Sequence, residues 1–266
     1  MTSPFSTLGR QLVERGLRLD SIVVDLDETI WDWCYLMARQ PRFFREHTEI
    51  IYLRRPTIEL LRGIQAADGG RLRAWTAGYG HRVDQICDAA PPLGQLFGYG
   101  PHEMAEAQPH IATRRDFLTA IRRQPSLVPR DGERWIAQKM PNAPTTAGKP
   151  IVDDATIMLD DKQSNCQRFV DSAPGRSALW LRGAPRIWKN NLRWVRTWAP
   201  ACREWATGAA DALGKIVDGQ SGLYAIDPVA STHTEWTIRV SMPHQVVWND
   251  WIAPGREIDR VTGKRA

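Results

Sequence analysis

Two aspartates separated by a single residue, Asp25 and Asp27, end a short apolar run, and Thr29 follows two positions later. The run itself, residues 22–24, consists of adjacent β-branched side chains, which predicts a strand buried on both faces of a parallel sheet. The carboxylates would then lie at the carboxyl end of that strand, where open α/β sheets bind their ligands. Acids this close repel each other unless a cation or a proton relieves the repulsion. A helix cap needs one such residue, so capping alone does not explain three.

Two later segments also carry polar side chains at the end of an apolar stretch. Residues 71–78 read Arg-Leu-Arg-Ala-Trp-Thr-Ala-Gly and predict a strand that ends at Thr76. Residues 155–161 read Ala-Thr-Ile-Met-Leu-Asp-Asp and predict another strand, which ends in the paired acids Asp160 and Asp161. Strand and helix patterns alternate between these segments, as a parallel α/β sheet requires.

The order of these segments resembles the motifs of the haloacid dehalogenase (HAD) superfamily. Residues 25–29, Asp-Leu-Asp-Glu-Thr, are similar to its first motif, Asp-x-Asp-x-Thr, in the version of the carboxy-terminal-domain phosphatases and NLI-interacting-factor-like proteins. The strand ending at Thr76 resembles the second motif, and the paired acids at 160–161 match the last one. Arg55-Pro56 resembles the helix start of the same branch. The resemblance covers roughly residues 18–185.

These residue types suit phosphoryl transfer. A carboxylate nucleophile splits the slow hydrolysis of a phosphate monoester into two steps through an aspartyl phosphate. An anionic nucleophile can approach an anionic substrate only with a divalent cation and positive groups around the phosphoryl oxygens. Aspartate oxygens are ligands that Mg²⁺ prefers. Together with the resemblance, this predicts a Mg²⁺-dependent HAD-type phosphoric monoester hydrolase.

The resemblance also implies a role for each acid. Asp25 would be the nucleophile and a metal ligand. Asp27 would protonate the leaving oxygen, then activate water, and would lend its backbone carbonyl to Mg²⁺. Thr76 would hydrogen-bond a phosphoryl oxygen, Asp160 would complete the metal site, and Asp161 would support it or serve as an alternative ligand. Thr29 is expected to fix the geometry of the first loop.

A lysine that binds the substrate phosphate belongs between the second motif and the paired acids, and two candidates exist. Lys149 lies in Ala-Gly-Lys-Pro, eleven positions before Asp160. Lys139 lies twenty-one positions before it, in Trp-Ile-Ala-Gln-Lys-Met. The Gly-Lys-Pro context favours Lys149, whereas the position of Lys139 better fits the end of a strand. Either could instead be an exposed surface lysine.

The resemblance implies an α/β fold with a doubly wound (Rossmann-like) parallel sheet of the HAD type, in a core domain at 1–185. The segment after the first motif is too short for a large cap. Within the core we expect a leading helix at 5–17, an edge strand from Leu93 to Tyr99 and a last strand at 178–181. We also expect a loop at residues 141–150, which are rich in Pro, Thr, Ala and Gly.

A tryptophan-rich extension, residues 186–266, is expected to follow and to pack on the core. Eight of the twelve tryptophans lie in residues 180–266. Trp188, Trp194, Trp198 and Trp205 fall near helical spacing, and Trp236 begins an alternating pattern with Ile238 and Val240 that predicts a strand. A docking surface for a protein or for stacked bases is the alternative, with Trp248 and Trp251 as its candidates.

Composition and the absence of targeting signals indicate where the protein is located, but they do not identify its substrate. The net charge of +5 comes mostly from arginine in dispersed pairs, so a nucleic-acid partner is possible but not indicated. No apolar run approaches membrane-spanning length, no secretion signal opens the chain, and the four cysteines are far apart, which predicts a cytoplasmic protein. A phosphoprotein is the favoured substrate, with a nucleotide or nucleic-acid phosphomonoester or a non-catalytic binding module as alternatives.

Overall fold

A computed structural model describes the chain in several stretches: residues 3–36, 46–76, 83, 86–87, 89–97, 111–112, 154–183, 203–230, 236–243, 258–259 and 264–265. Within these stretches five α-helices have defined bounds: α1 (Pro4–Glu14), α2 (Arg55–Asp68), α3 (Pro91–Phe97), α4 (Gln163–Asp171) and α5 (Ala206–Val217). The strands are β1 (Ile22–Val24), β2 (Trp31–Leu36), β3 (Glu46–Leu53), β4 (Arg73–Trp75), β5 (Ile111–Ala112), β6 (Ile157–Asp160), β7 (Ser177–Leu181), β8 (Arg203–Glu204), β9 (Leu223–Ile226), β10 (Val229–Ala230), β11 (Trp236–Pro243), β12 (Ile258–Asp259) and β13 (Lys264–Arg265).

Six parallel strands form the central sheet, in the order β5-β4-β1-β6-β7-β9. The chain starts in the middle at β1, moves outward through β4 and β5, and returns to the other side of β1 with β6, β7 and β9. This is the strand order of a doubly wound α/β sheet. Strands are added to one side of β1 first and then to the other side, so the strand order reverses between β1 and β6. The α/β class predicted from the sequence is therefore confirmed.

Both faces of this sheet are buried. In β1, Ile22 and Val24 pack with residues of α1, α2, α3 and α5, whereas Val23 belongs to a second cluster that contains Phe169 of α4. The ring of Trp75, in the neighbouring strand β4, meets Phe169 edge-on with centroids 5.9 Å apart. None of the three β1 side chains is exposed, which confirms a strand covered on both faces.

The edge strand expected from Leu93 to Tyr99 is wrong, because residues 93–97 belong to helix α3 instead, whereas residues 98–99 lie outside the described residues. Its two leading prolines occupy the first turn, where a missing backbone N–H costs nothing. Leu93, Leu96 and Phe97 are buried at three- and four-residue spacing, which is the pattern of one helix face. The edge of the sheet is taken by β5. The leading helix expected at 5–17 is present as α1.

The C-terminal part of the chain contributes to the central sheet, so the prediction that residues 178–181 form its last strand is wrong. That segment forms β7 as expected, but β9 pairs with it in parallel and extends the sheet by one strand. Helix α5 packs on the same edge and buries Leu213. Trp205 is also buried. Its indole N–H donates to the carbonyl of Arg182 at 2.8 Å, and the guanidinium of Arg54 lies 3.9 Å from the ring centre. Trp188, Trp194, Trp198, Trp248 and Trp251 lie outside the described residues.

A separate three-stranded antiparallel sheet, in the order β11-β3-β2, follows the first loop in sequence. Strands β2 and β3 pair as a hairpin, and β11 joins β3 along all eight of its residues, from Trp236 opposite Leu53 to Pro243 opposite Glu46. The strand predicted from Trp236, Ile238 and Val240 is therefore confirmed. Among the described helices, none has both the length and the apolar composition that crossing a membrane requires.

Truncation after Gly183 should yield insoluble protein or protein without a cooperative unfolding transition. The cut removes α5 and β9, which cover Leu179 and Leu181 of the central sheet. Full burial of one such apolar side chain contributes about 1.5–3 kcal/mol, so the loss of several exceeds the about 5–15 kcal/mol that keeps a domain folded. Solubility and thermal unfolding of the fragment measure this, with a chain ending at Ala230, which keeps the whole central sheet, as the control. A fragment ending at Gly183 that unfolds cooperatively would contradict it.

Candidate functional site

Three carboxylates meet at the carboxyl edge of the central sheet. Asp25 directly follows β1, Asp160 is the last residue of β6, and Asp161 comes next. These three residues, called here the carboxylate cluster, each offer one oxygen that lies within 4.8 Å of the other two. The ladder between β1 and β6 continues to the cluster, because the Asp25 amide donates to the carbonyl of Leu159 at 2.8 Å. The cluster lies where the strand order reverses, which is where doubly wound sheets bind ligands.

The carboxylate cluster concentrates negative charge in a place with little water. Asp160 has no exposed surface and Asp25 is 5% exposed. Two unit charges at this separation repel by roughly 3 kcal/mol at an effective dielectric constant of about 20. A divalent cation bound between the oxygens would reverse the sign of this interaction, and carboxylate oxygens are the ligands that hard cations prefer. The cluster can therefore hold a metal ion.

Asp160 is held by hydrogen bonds from the start of helix α4. The Asn165 side-chain amide lies 3.2 Å from Oδ1 and 3.0 Å from Oδ2 of Asp160, and the Lys162 backbone amide donates to Oδ1 at 2.8 Å. Asn165 is itself buried. Donors to a carboxylate offset part of the repulsion and fix its orientation. The sequence reading missed Asn165; its signal was an amide five residues after Asp160, in the first turn of the following helix.

The loop after β1 is a tight turn built around one carbonyl. The amides of Thr29, Ile30 and Trp31 point at the carbonyl oxygen of Leu26, at 3.3, 2.8 and 3.1 Å. Within this turn Glu28 adopts a positive φ of 64°, a conformation that is uncommon for residues other than glycine. Its amide donates a hydrogen bond to the carbonyl of Trp31. The turn brings the chain back within a few residues, so that β2 begins beside the site.

Asp27 does not join the carboxylate cluster through its side chain. Its Oδ1 accepts a hydrogen bond from the indole Nε1 of Trp31 at 2.9 Å, and the side chain is partly exposed. Thr29 is fully buried, and within the described part of the chain its hydroxyl oxygen has no hydrogen-bond partner. Thr29 contributes to the described loop through its backbone amide, which donates a hydrogen bond to the carbonyl of Leu26. Thr76 directly follows β4, next to β1 in the sheet, and is fully buried at the same edge.

The two lysine candidates, Lys139 and Lys149, lie outside the described residues, so the choice between them stays open. Comparisons with models of known protein families, with curated proteins and with solved structures found no match to this chain.

Loss of Asp160 should weaken divalent-cation binding much more than loss of Asp161. Asp160 is buried and held in place by Asn165, whereas Asp161 is partly exposed. A cation at 100 times its dissociation constant stabilises a protein by about 2.7 kcal/mol. We expect Asp160→Ala to abolish this rise in melting temperature and Asp161→Ala to weaken the affinity by about 10-fold.

Thermal unfolding with and without Mg²⁺ measures both effects. Asp171→Ala, which removes an exposed carboxylate from the end of the same helix α4, is the matched control and should leave the shift intact. Equal losses of the Mg²⁺-dependent shift for Asp160→Ala and Asp161→Ala would contradict the prediction that Asp160 is the more important ligand. A wild-type protein without any shift would exclude the cation site.

Proposed function

We propose that this chain is a Mg²⁺-dependent phosphatase that hydrolyses phosphate monoesters through an aspartyl phosphate on Asp25. The observation that carries the proposal is the carboxylate cluster at the reversal point of a doubly wound sheet. Such a site would hold a cation beside the nucleophile Asp25, and the cation would supply the charge stabilisation that a phosphoryl group needs. The resemblance of residues 25–29, 71–78 and 155–161 to the HAD motifs supports the same reaction.

In the proposed reaction, an oxygen of Asp25 attacks phosphorus as the bond to the leaving oxygen breaks. Mg²⁺, held by Asp25, Asp160 and Asp161 and by the backbone carbonyl of Asp27, would neutralise charge on the phosphoryl oxygens. Asp27 gives a proton to the departing oxygen, and in the second step takes one from the water that attacks the aspartyl phosphate. Thr76 and Lys149 or Lys139 would bind the phosphoryl oxygens.

The position of Asp27 favours an enzyme over a binding module on the same fold. The carboxylate cluster supplies three metal ligands without the Asp27 side chain, so cation binding alone gives no reason for a second acid two residues after Asp25. A proton donor that stands apart from the metal ligands is what turnover of a phosphate ester needs.

For the substrate we propose a phosphoprotein or another phosphomonoester that reaches an open site with no more than a minimal cap. The resemblance to the carboxy-terminal-domain phosphatases favours a phosphoprotein, and a nucleotide or nucleic-acid phosphate remains the alternative. A panel of phosphopeptides, nucleotides and 3′-phosphorylated oligonucleotides, assayed with and without Mg²⁺, separates these classes. Magnesium-dependent phosphate release from one class only would identify it.

Asp25→Asn should abolish turnover while the protein stays folded, because the change removes the attacking charge at nearly constant volume. Asp27→Asn should instead let phosphoenzyme form and persist, since general acid–base help is worth about 10²–10⁴-fold. Mass spectrometry of the peptide that contains Asp25 should show one added phosphate in Asp27→Asn and none in Asp25→Asn.

The control is Asp211→Asn, the same chemical change on an exposed position of α5, and it should leave turnover unchanged. Phosphate found on a serine, threonine or histidine would contradict the assignment of Asp25 as nucleophile.

A further inference from the structure

We propose that Trp31 is a positioning residue for Asp27, which it holds in the orientation for proton transfer to the leaving oxygen. This inference rests on the proposed phosphatase reaction and adds a specific contact to it. Its basis is the hydrogen bond of 2.9 Å from the indole Nε1 of Trp31 to Oδ1 of Asp27.

The indole is a rigid donor at this place. Trp31 is 1% exposed and belongs to the main apolar core, so its ring has no room to turn away. Its backbone is fixed as well, because Trp31 begins β2 and pairs there with Leu53, while its amide and carbonyl bond to Leu26 and Glu28. An isolated backbone bridge also joins Trp31 to Asp27. A side chain held this firmly can set the direction of a partly exposed carboxylate.

The hydrogen bond assigns different parts to the two oxygens of Asp27 in the proposed reaction. An indole N–H donates and cannot accept, so Oδ1 faces a hydrogen atom, and we assign the transferred proton to Oδ2. In the first step the Oδ2–H bond breaks and the proton moves to the leaving oxygen as its bond to phosphorus breaks. In the second step Oδ2 takes a proton from water as the water oxygen attacks phosphorus. Removal of the indole N–H takes away the hydrogen bond that orients Oδ1, so both transfers lose alignment.

The test compares leaving groups in the full-length protein. For a reaction through a phosphoenzyme, kcat/KM reports the first step, in which a poor leaving group needs the proton and a good one does not. The probes are p-nitrophenyl phosphate, phenyl phosphate and glycerol 2-phosphate, in order of increasing need for protonation. We expect Trp31→Phe to lower kcat/KM by about 10-fold or more for glycerol 2-phosphate and by less than about 3-fold for p-nitrophenyl phosphate, as part of the about 10²–10⁴-fold that a general acid contributes.

Two comparisons separate positioning from a loss of structure. Trp205→Phe removes another buried indole N–H, which donates to the carbonyl of Arg182, and should affect all three substrates equally. In the Asp27→Asn background, Trp31→Phe should have no further selective effect, since residues that act together are not additive. If Trp31→Phe does not fold, benzothienylalanine at position 31 replaces the N–H by sulfur at nearly the same volume.

Each outcome decides the matter. A steeper dependence of kcat/KM on the leaving group in Trp31→Phe, absent from the double variant, supports positioning by Trp31. An equal decrease for all three substrates, or a selective decrease that persists in the Asp27→Asn background, overturns it while leaving the phosphatase in place. If none of the three is hydrolysed, or if hydrolysis survives Asp25→Asn, the proposed function fails and the role of Trp31 fails with it.

Discussion

The pairing of β1 with β6 is the constraint on which the rest of the site depends. As adjacent parallel strands they end at the same edge of the sheet, which forces Asp25 and Asp160 together whatever the loops do. The acids repel each other there, and the hydrogen bonds from Asn165 and the Lys162 amide relieve only part of that cost. A sheet buried on both faces can sustain such a local cost, because its strands cannot move apart without exposing the core.

The stability that sustains the site comes from both ends of the chain. The N-terminal helix α1 packs against α2 so closely that a β-carbon on Gly63 would stand 2.2 Å from the carbonyl oxygen of Ser6. At the opposite edge, β9 and α5 close the sheet with residues from beyond position 203. Arg54 and Trp205 stack where these two regions meet, beside the start of α2. The strands that carry the acids are therefore packed between elements from both ends of the chain.

The sequence predicted the elements whose patterns are local and strong. Adjacent β-branched residues before Asp25, and an apolar run before Asp160, identify buried parallel strands without knowledge of their neighbours. The pattern at Leu93–Tyr99 fits both a helix face and a strand over so few residues, and packing of Leu93, Leu96 and Phe97 against the core decided for the helix. Strand β9 carries no polar motif and is only four residues long, so its place in the sheet depends on the pairing with β7. Local spacing cannot supply such long-range partners.

The same distinction applies within the site, where residue types predict chemistry and tertiary contacts set its geometry. The pattern Asp-x-Asp-x-Thr predicts which acids belong to the site. Whether Asp27 can transfer a proton depends on the direction of its carboxylate. That direction is tied to Trp31, which pairs with Leu53 in β3, and Leu53 in turn pairs with Trp236 in β11. Strand β11 lies more than two hundred positions after the first loop. A C-terminal strand thus completes the small sheet that begins at Trp31, the residue whose indole donates to Asp27.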